Sequence, residues 1–288
     1  MKLVRFGAPG SERPGLIDAE GKLRDLSYHV PDITGHHLSD EALARIASID
    51  VKTLSLIEEE VRFGPPISSV GKMICVGLNY TDHAKEAGLA IPTEPLLFLK
   101  GCSPTGPNDA IAMPPNATHC DWEVELAIVI GKHGLHIDQA HALEHVAGYC
   151  VLNDFTEREF QLNRAGQWTK GKSFPGFSPL GPWLVTRDEV REPGKLRLWL
   201  DVNGTRRQDG STQNLIFDVP FMVAYLSQFM ALNPGDIIAT GTPAGVGAGH
   251  KPDPIFLTDG DCISLGIEGL GTQTQHIVAW EKRPKPWL

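Results

Sequence analysis

The stretch Asp121–Gly131, "DWEVELAIVIG", constrains the fold more than any other. Trp122, Val124, Leu126, Ile128 and Ile130 recur at period two, the spacing of one strand face. The opposite face carries Asp121, Glu123 and Glu125, then Ala127 and Val129. A strand apolar on one side and half-apolar on the other belongs inside a packed sheet. Its acids then sit side by side at the mouth of a buried element, where like charges repel.

The rest of the chain is punctuated by 30 Gly and 22 Pro into many short segments, which predicts a β-rich fold with long loops. Up to residue 65 the reading is a small α+β unit. "MKLVRF" and "PGLIDAEGKLRDL" form short strands around a turn at Asp18–Gly21. A helix over "SDEALARIA" follows, with Ser39 as N-cap. "RFGPPISSVGK" reads as a linker, and a larger unit spans 70–285. In it, Met73–Gly77, "PLLFLK" and "GYCVLNDF" are apolar strands and "TDHAKEAGL" a helical turn stopped by Gly88. Helices are expected near "DQAHALEHV" and over "VPFMVAYLSQFM". "LRLWLDVNGTRRQ" is a hairpin turning on Asn203–Gly204.

A net charge of −9 argues against a nucleic-acid or anionic-membrane partner. No apolar run reaches the length of a membrane span. Five scattered cysteines without a CxxC pair fit reduced thiols in a cytoplasmic protein.

Glu123 and Glu125, two residues apart on a strand, share a face. A divalent cation would neutralise them, with Asp154 at the end of the next apolar strand as third ligand. Three carboxylates favour Mg²⁺ or Mn²⁺ over zinc. The same spacing also fits a solvated strand end, and Asp121 reads as a strand-entry residue. His83 and Glu86, three apart on a helical turn, can pair as a base and its orienting acid, or as a plain surface contact. Arg158 could clamp a substrate carboxylate, with Gln161 one turn on, or could pair with Glu157 or Glu159. Lys172, in a loop before a strand, could stabilise a developing enolate or be a solvated lysine. "TGTPAGVGAG" at 240–249 lacks a nucleotide-loop pattern. Its amides and the Thr242 hydroxyl could face an anion.

Taken in order, "GLNYTDHAKE", "DWEVELAIVIG", "GYCVLNDFTERE", "KGKSF", "VNGTRRQ", "LNPGDIIATGTPAGVG" and "GDCISLGIEGLG" resemble the fumarylacetoacetate hydrolase family over roughly residues 70 to 275. The resemblance implies an α+β, mainly β fold: a mixed β-sandwich roll with a small N-terminal α+β unit, assembled as a homodimer. It implies Glu123, Glu125 and Asp154 as ligands of Mg²⁺ or Mn²⁺, and His83–Glu86 as a water-activating dyad on a lid. It places Lys172 near the metal, and Arg158, Gln161 and Thr242 toward the substrate carboxylate. Tyr80 and Lys100 are further pocket residues. The implied activity is hydrolysis of a carbon–carbon bond in a small 2,4-dioxo acid. "FTEREFQ", "AGQWTKGKS" and "YLSQFM" point within the family to hydrolases of 2,4-diketo-3-deoxy-L-rhamnonate or L-fuconate, yielding pyruvate and L-lactate. Acylpyruvate or fumarylpyruvate hydrolysis, oxaloacetate-type decarboxylation and enol–keto isomerisation are the alternatives on the same fold, and a metal-stabilised binding protein without turnover is the alternative of another class.

Overall fold

A computed structural model describes residues 1–284, so the expected end of the larger unit, residue 285, lies outside the described residues. The strands are β1 (Lys2–Phe6), β2 (Arg13–Ile17), β3 (Leu23–Asp25), β4 (Met73–Gly77), β5 (Leu96–Leu99), β6 (Ile111–Ala112), β7 (Cys120–Asp121), β8 (Val124–Ile130), β9 (Val146–Asn153), β10 (Thr156–Glu157), β11 (Leu180–Thr186), β12 (Arg197–Val202), β13 (Thr205–Ser211), β14 (Ile237–Ala239), β15 (Cys262–Ile267) and β16 (Gly271–Val278). The α-helices are short: α1 (Asp40–Ala47), α2 (Thr81–Glu86), α3 (Arg158–Leu162), α4 (Thr169–Lys172) and α5 (Val219–Leu226). Among the described residues, no helix is long and apolar enough to cross a membrane.

A nine-stranded sheet runs in the order β3-β2-β1-β11-β9-β8-β14-β4-β5, and a five-stranded one in the order β13-β12-β15-β16-β6. β8 lies at the middle of the larger sheet, and both its faces are buried, as its alternation requires. Val124, Leu126, Ile128 and Ile130 pack with Leu198 and Leu200 of β12 and Ile263 and Leu265 of β15. Ala127 and Val129 pack on the other side with Leu3, Leu16, Leu43 and Ile46 from the N-terminal region. That region continues the main sheet, because β1 pairs antiparallel with β11. Ser39 caps α1 by accepting from the Ala42 amide at 3.2 Å.

Three expectations are corrected. The strand over 121–130 is two pieces: β7 turns away to pair with β10, and β8 begins at Val124. Between them the Glu123 amide donates to the Asn153 side-chain oxygen instead of a ladder partner. The stretch near "DQAHALEHV" is a 3₁₀ turn, Gln139–His145, started by the Asp138 side chain accepting from Ala140 N. Lys172 ends a short helix rather than lying in a loop. The hairpin is as read: Asn203 (φ 51°) and Gly204 (φ 75°) both take the left-handed conformation that a type I′ turn needs.

Candidate active site

β8 and β9 are antiparallel neighbours with Val124 opposite Asn153. That register brings the residue before β8 and the residue after β9 together, and Asp154 N donates to Glu123 O at 2.9 Å. Carboxylate oxygens of Glu123, Glu125 and Asp154 consequently lie within 4.8 Å of one another, and all three residues are buried. The solvated-strand-end reading does not survive this burial.

Three cations reach in among four carboxylates. Lys172 Nζ donates to Glu123 Oε2 at 2.8 Å and Asp154 Oδ2 at 2.7 Å. Lys100 Nζ donates to Asp154 Oδ1. Arg158 binds Asp121 through Nε at 2.8 Å and Glu123 through Nη1 at 2.8 Å, and Nη1 also donates to Gln161 Oε1. Glu125 is left over. Among the described residues it has no cation partner, only the Gly241 amide at 2.8 Å. Burial, with the Asp154 and Glu123 carboxylates beside it, pushes the Glu125 carboxyl well above its ordinary range. Burial would raise Glu123 too, but the Lys172 and Arg158 cations outweigh it and hold that carboxyl at about 2. Burial opposes the charge on Lys172, and the Asp154 and Glu123 carboxylates more than restore it. A dry cluster of oxygen donors with one uncompensated carboxylate fits a hard divalent cation.

His83 Nδ1 lies 3.0 Å from Glu86 Oε2 on α2, so the pair expected from spacing forms, half-sheltered rather than on open surface. Glu86 is fixed from behind by the Gly245 amide at 2.8 Å. The 240–249 loop does face anions, and they are the chain's own: Gly241 N donates to Glu125, Gly245 N to Glu86, and Gly247 N and Ala248 N to Asp121. At Gly249 a Cβ would lie 2.5 Å from the Glu86 carboxyl carbon, so a side chain there would push that carboxyl aside.

One narrow cleft, with a cavity of about 40 Å³, is bounded by His83, Glu123, Glu125, Arg158, Gln161, Lys172 and Thr242, with Phe98 and Trp168 at its aromatic end. A larger cleft, about 730 Å³, opens near Arg5, Arg62 and Cys102. Its acids Glu12 and Asp109 are already paired with Arg5 and Arg62, so it holds no comparable chemistry. Thr242 spends its hydroxyl proton on Val124 O at 2.9 Å and accepts from Gln208 at 2.8 Å. Lys100 sits behind Asp154 and is not part of the cleft wall. Tyr80 is wholly buried in the core beside α5, away from the wall, and burial raises its phenol. Arg158 pairs with neither Glu157 nor Glu159. Its Nη2 is buried with no partner among the described residues.

Asp121, read as a strand-entry residue, is the largest omission: it anchors both Arg158 and the glycine loop while fully buried. Its parity with Glu123 was the available signal. Gln208 was also missed. It accepts from Val124 N and donates to Thr242, and nothing in "NGTRRQDG" marks it. Leu78, in the cleft wall, holds a positive φ of 54°, fixed by Asn79 bonding Phe217 and Thr240 backbone.

Residues 72–278 match the fumarylacetoacetate (FAA) hydrolase C-terminal family. A protein of Burkholderia lata, named provisionally as a hydrolase, is 54% identical over 277 residues, 96% of this chain and 98% of its own. Among solved structures, the fumarylacetoacetate hydrolase of psychrophilic Exiguobacterium antarcticum superposes with a TM-score of 0.85 at 38% identity, covering 97% of this chain and 99% of that one. A maleylpyruvate hydrolase from Sphingobium sp. SYK-6, solved in complex with manganese(II) and pyruvate, gives 0.80 at 30% identity, with coverage of 97% and 99%. With the triad, the dyad and a match over most of its length, this chain belongs to the fumarylacetoacetate hydrolase family.

Proposed function

We propose that the protein is a metal-dependent hydrolase cleaving the C3–C4 bond of a 2,4-dioxo acid to release pyruvate. The reading rests above all on one observation. Two members of a buried three-carboxylate cluster, Glu123 and the cation-free Glu125, share a cleft with a Glu-oriented histidine. Pyruvate and manganese in the maleylpyruvate hydrolase relative support it. Glu123, Glu125 and Asp154 would hold Mg²⁺ or Mn²⁺, which when bound supplies Lewis-acid stabilisation to the 2-oxo acid end and its enolate.

Arg158 Nη2, the buried donor without a partner, takes the substrate carboxylate together with Gln161. In the base form His83 donates from Nδ1 to Glu86, which leaves Nε2 to accept a proton from water. The resulting hydroxide adds to the C4 carbonyl. The C3–C4 pair then moves into the C2 carbonyl as a pyruvate enolate, and the acyl fragment departs as a carboxylic acid. The Lys172 ammonium lies where that enolate charge develops. Protonation at C3 completes pyruvate.

The finer reading is 2,4-diketo-3-deoxy-L-rhamnonate or L-fuconate as substrate, with L-lactate as second product. A screen of 2,4-dioxo acids with and without Mg²⁺ or Mn²⁺, following pyruvate, carboxylic acid and CO₂, tests both levels. Metal-dependent pyruvate with one equivalent of carboxylic acid is expected. CO₂ in its place means decarboxylation, and an isomerised product without cleavage means an enol–keto isomerase.

A further inference from the structure

The cleft is chemically lopsided. Its cations are Lys172 and Arg158, besides the His83 imidazole. Lys172 already holds Glu123 and Asp154, and Arg158 holds Asp121 and Glu123, so Arg158 Nη2 alone remains for an external carboxylate. Contacts then run from Glu123 through Lys172 to an aromatic end. Lys172 Nζ stands 5.3 Å from the Phe98 ring centroid, and Phe98 meets Trp168 edge-on at 5.5 Å. Gly77 lies against Trp168 at that end, and apart from Lys172 no charged side chain among the described residues is shown beside its two rings. Lys170, two residues beyond Trp168, is exposed and donates to the Arg164 carbonyl, outside the wall.

Trp168 is seated by a specific accommodation. A Cβ at Gly77 would lie 2.5 Å from its indole Cζ3, so only glycine on β4 lets the ring close this end of the cleft. Ala165 (φ 61°) and Gly166 (φ 65°), consecutive left-handed residues, turn the chain back between α3 and Trp168. The cavity there is small, about 40 Å³, well below the roughly 300–1,000 Å³ usual for small-molecule sites, so little room is left for a long tail.

From this we propose that Trp168, backed by Gly77 and facing Phe98, is the specificity-determining wall for the acyl part of the substrate. The protein takes monocarboxylic 2,4-dioxo acids with a short, uncharged tail of two or three carbons, and rejects long tails on size and dicarboxylic ones on charge. This rests on the hydrolase reading above and narrows it. A second carboxylate at the aromatic end would be desolvated, and the one cation near it, Lys172, is already engaged by Glu123 and Asp154.

The test compares kcat/KM for acetylpyruvate, hexanoylpyruvate and fumarylpyruvate, in Mn²⁺-loaded wild type, Trp168→Phe and Trp168→Ala. Wild type is expected to favour acetylpyruvate over each of the others by roughly tenfold or more. Trp168→Ala is expected to cut the hexanoyl penalty to about threefold or less while the fumaryl penalty persists, and Trp168→Phe to retain most of the size discrimination. Equal kcat/KM for acetyl and hexanoyl substrates in wild type, or an unchanged ratio in Trp168→Ala, overturns the proposal. Should Trp168→Ala not fold, Trp168→Leu makes the same comparison. Should wild type cleave no acylpyruvate, the hydrolase reading fails, and calorimetric binding of 2-oxobutanoate, 2-oxooctanoate and 2-oxoglutarate decides the wall separately. Tighter binding of 2-oxobutanoate, lost against 2-oxooctanoate in Trp168→Ala, upholds it, and equal binding of all three rejects it.

Discussion

The carboxylate centre and the His83–Glu86 pair face the same cleft but are held in different ways. Glu123, Glu125 and Asp154 are carried by the ends of central strands, their positions set by the β8–β9 register and by buried cations. The dyad sits on a six-residue helix at the rim, tied down by the Gly245 amide on Glu86 and a 3.3 Å bond from Asn214 to Asp82. One region is rigid because the whole sheet must move to move it. The other can adjust at the cost of a few hydrogen bonds. A ligand set needs fixed distances, whereas a base that meets water and substrate gains from a mobile mount.

Substitutions should separate the two regions. The largest effect is expected from Glu123→Gln, which leaves Lys172 with Asp154 and Arg158 with Asp121 as their remaining carboxylate partners beside a neutral amide. Unfolding free energy should fall by about 3 kcal/mol, and calorimetry should find no tight Mn²⁺ site. Retained Mn²⁺ affinity with native turnover would break the comparison at its rigid side. His83→Ala should lower kcat by roughly 10²–10⁴-fold. Mn²⁺ affinity and thermal stability should stay near wild type, and a parallel loss of metal would mean the two regions are one unit. Gly249→Ala places a methyl against the Glu86 carboxyl and should reduce kcat by roughly tenfold, because the imidazole loses its orienting acid.

The smallest effect is on pH dependence. The Glu125 carboxyl is raised in the metal-free fold, so its contribution favours folding below the ordinary carboxyl range. That contribution is lost as pH rises through the elevated value. Glu123, held at about 2, contributes in the opposite sense: its stabilisation is present above the ordinary range and lost as pH falls toward 2. Metal binding must displace the Glu125 proton. The Tm difference between Mn²⁺-loaded and chelator-treated protein should therefore widen as pH is raised through the elevated Glu125 range, in proportion to the log of Mn²⁺ affinity. A constant difference would place the titrating group elsewhere.

How much of this was legible varies by residue. The alternation of Trp122–Ile130, the Asn203–Gly204 turn and the Ser39 cap depend on local physics and stand in the structure as read. Glu123, Glu125 and Asp154 could be grouped because two lie on one strand and the third ends the next. Asp121 was set aside because a sequence shows its parity but not that Arg158 and two loop amides converge on it. Lys100 was placed toward substrate, since nothing local shows that β5 delivers it behind Asp154. The glycine loop's amides were offered to an outside anion because the partner acids lie more than a hundred residues away along the chain.

By itself, then, the sequence determined which segments alternate, where they turn and which residue types the chemistry can draw on, because these follow from dihedral preferences and from periods of two and 3.6 along one chain. Only the tertiary structure decided which carboxylates are paired and which one is left over. It also decided which lysine faces the cleft, and that an indole closes one end of it against a glycine. Those outcomes depend on burial and on side chains meeting from distant strands. Electrostatic energy in a dry site turns on ångström-scale separations that a linear order does not contain.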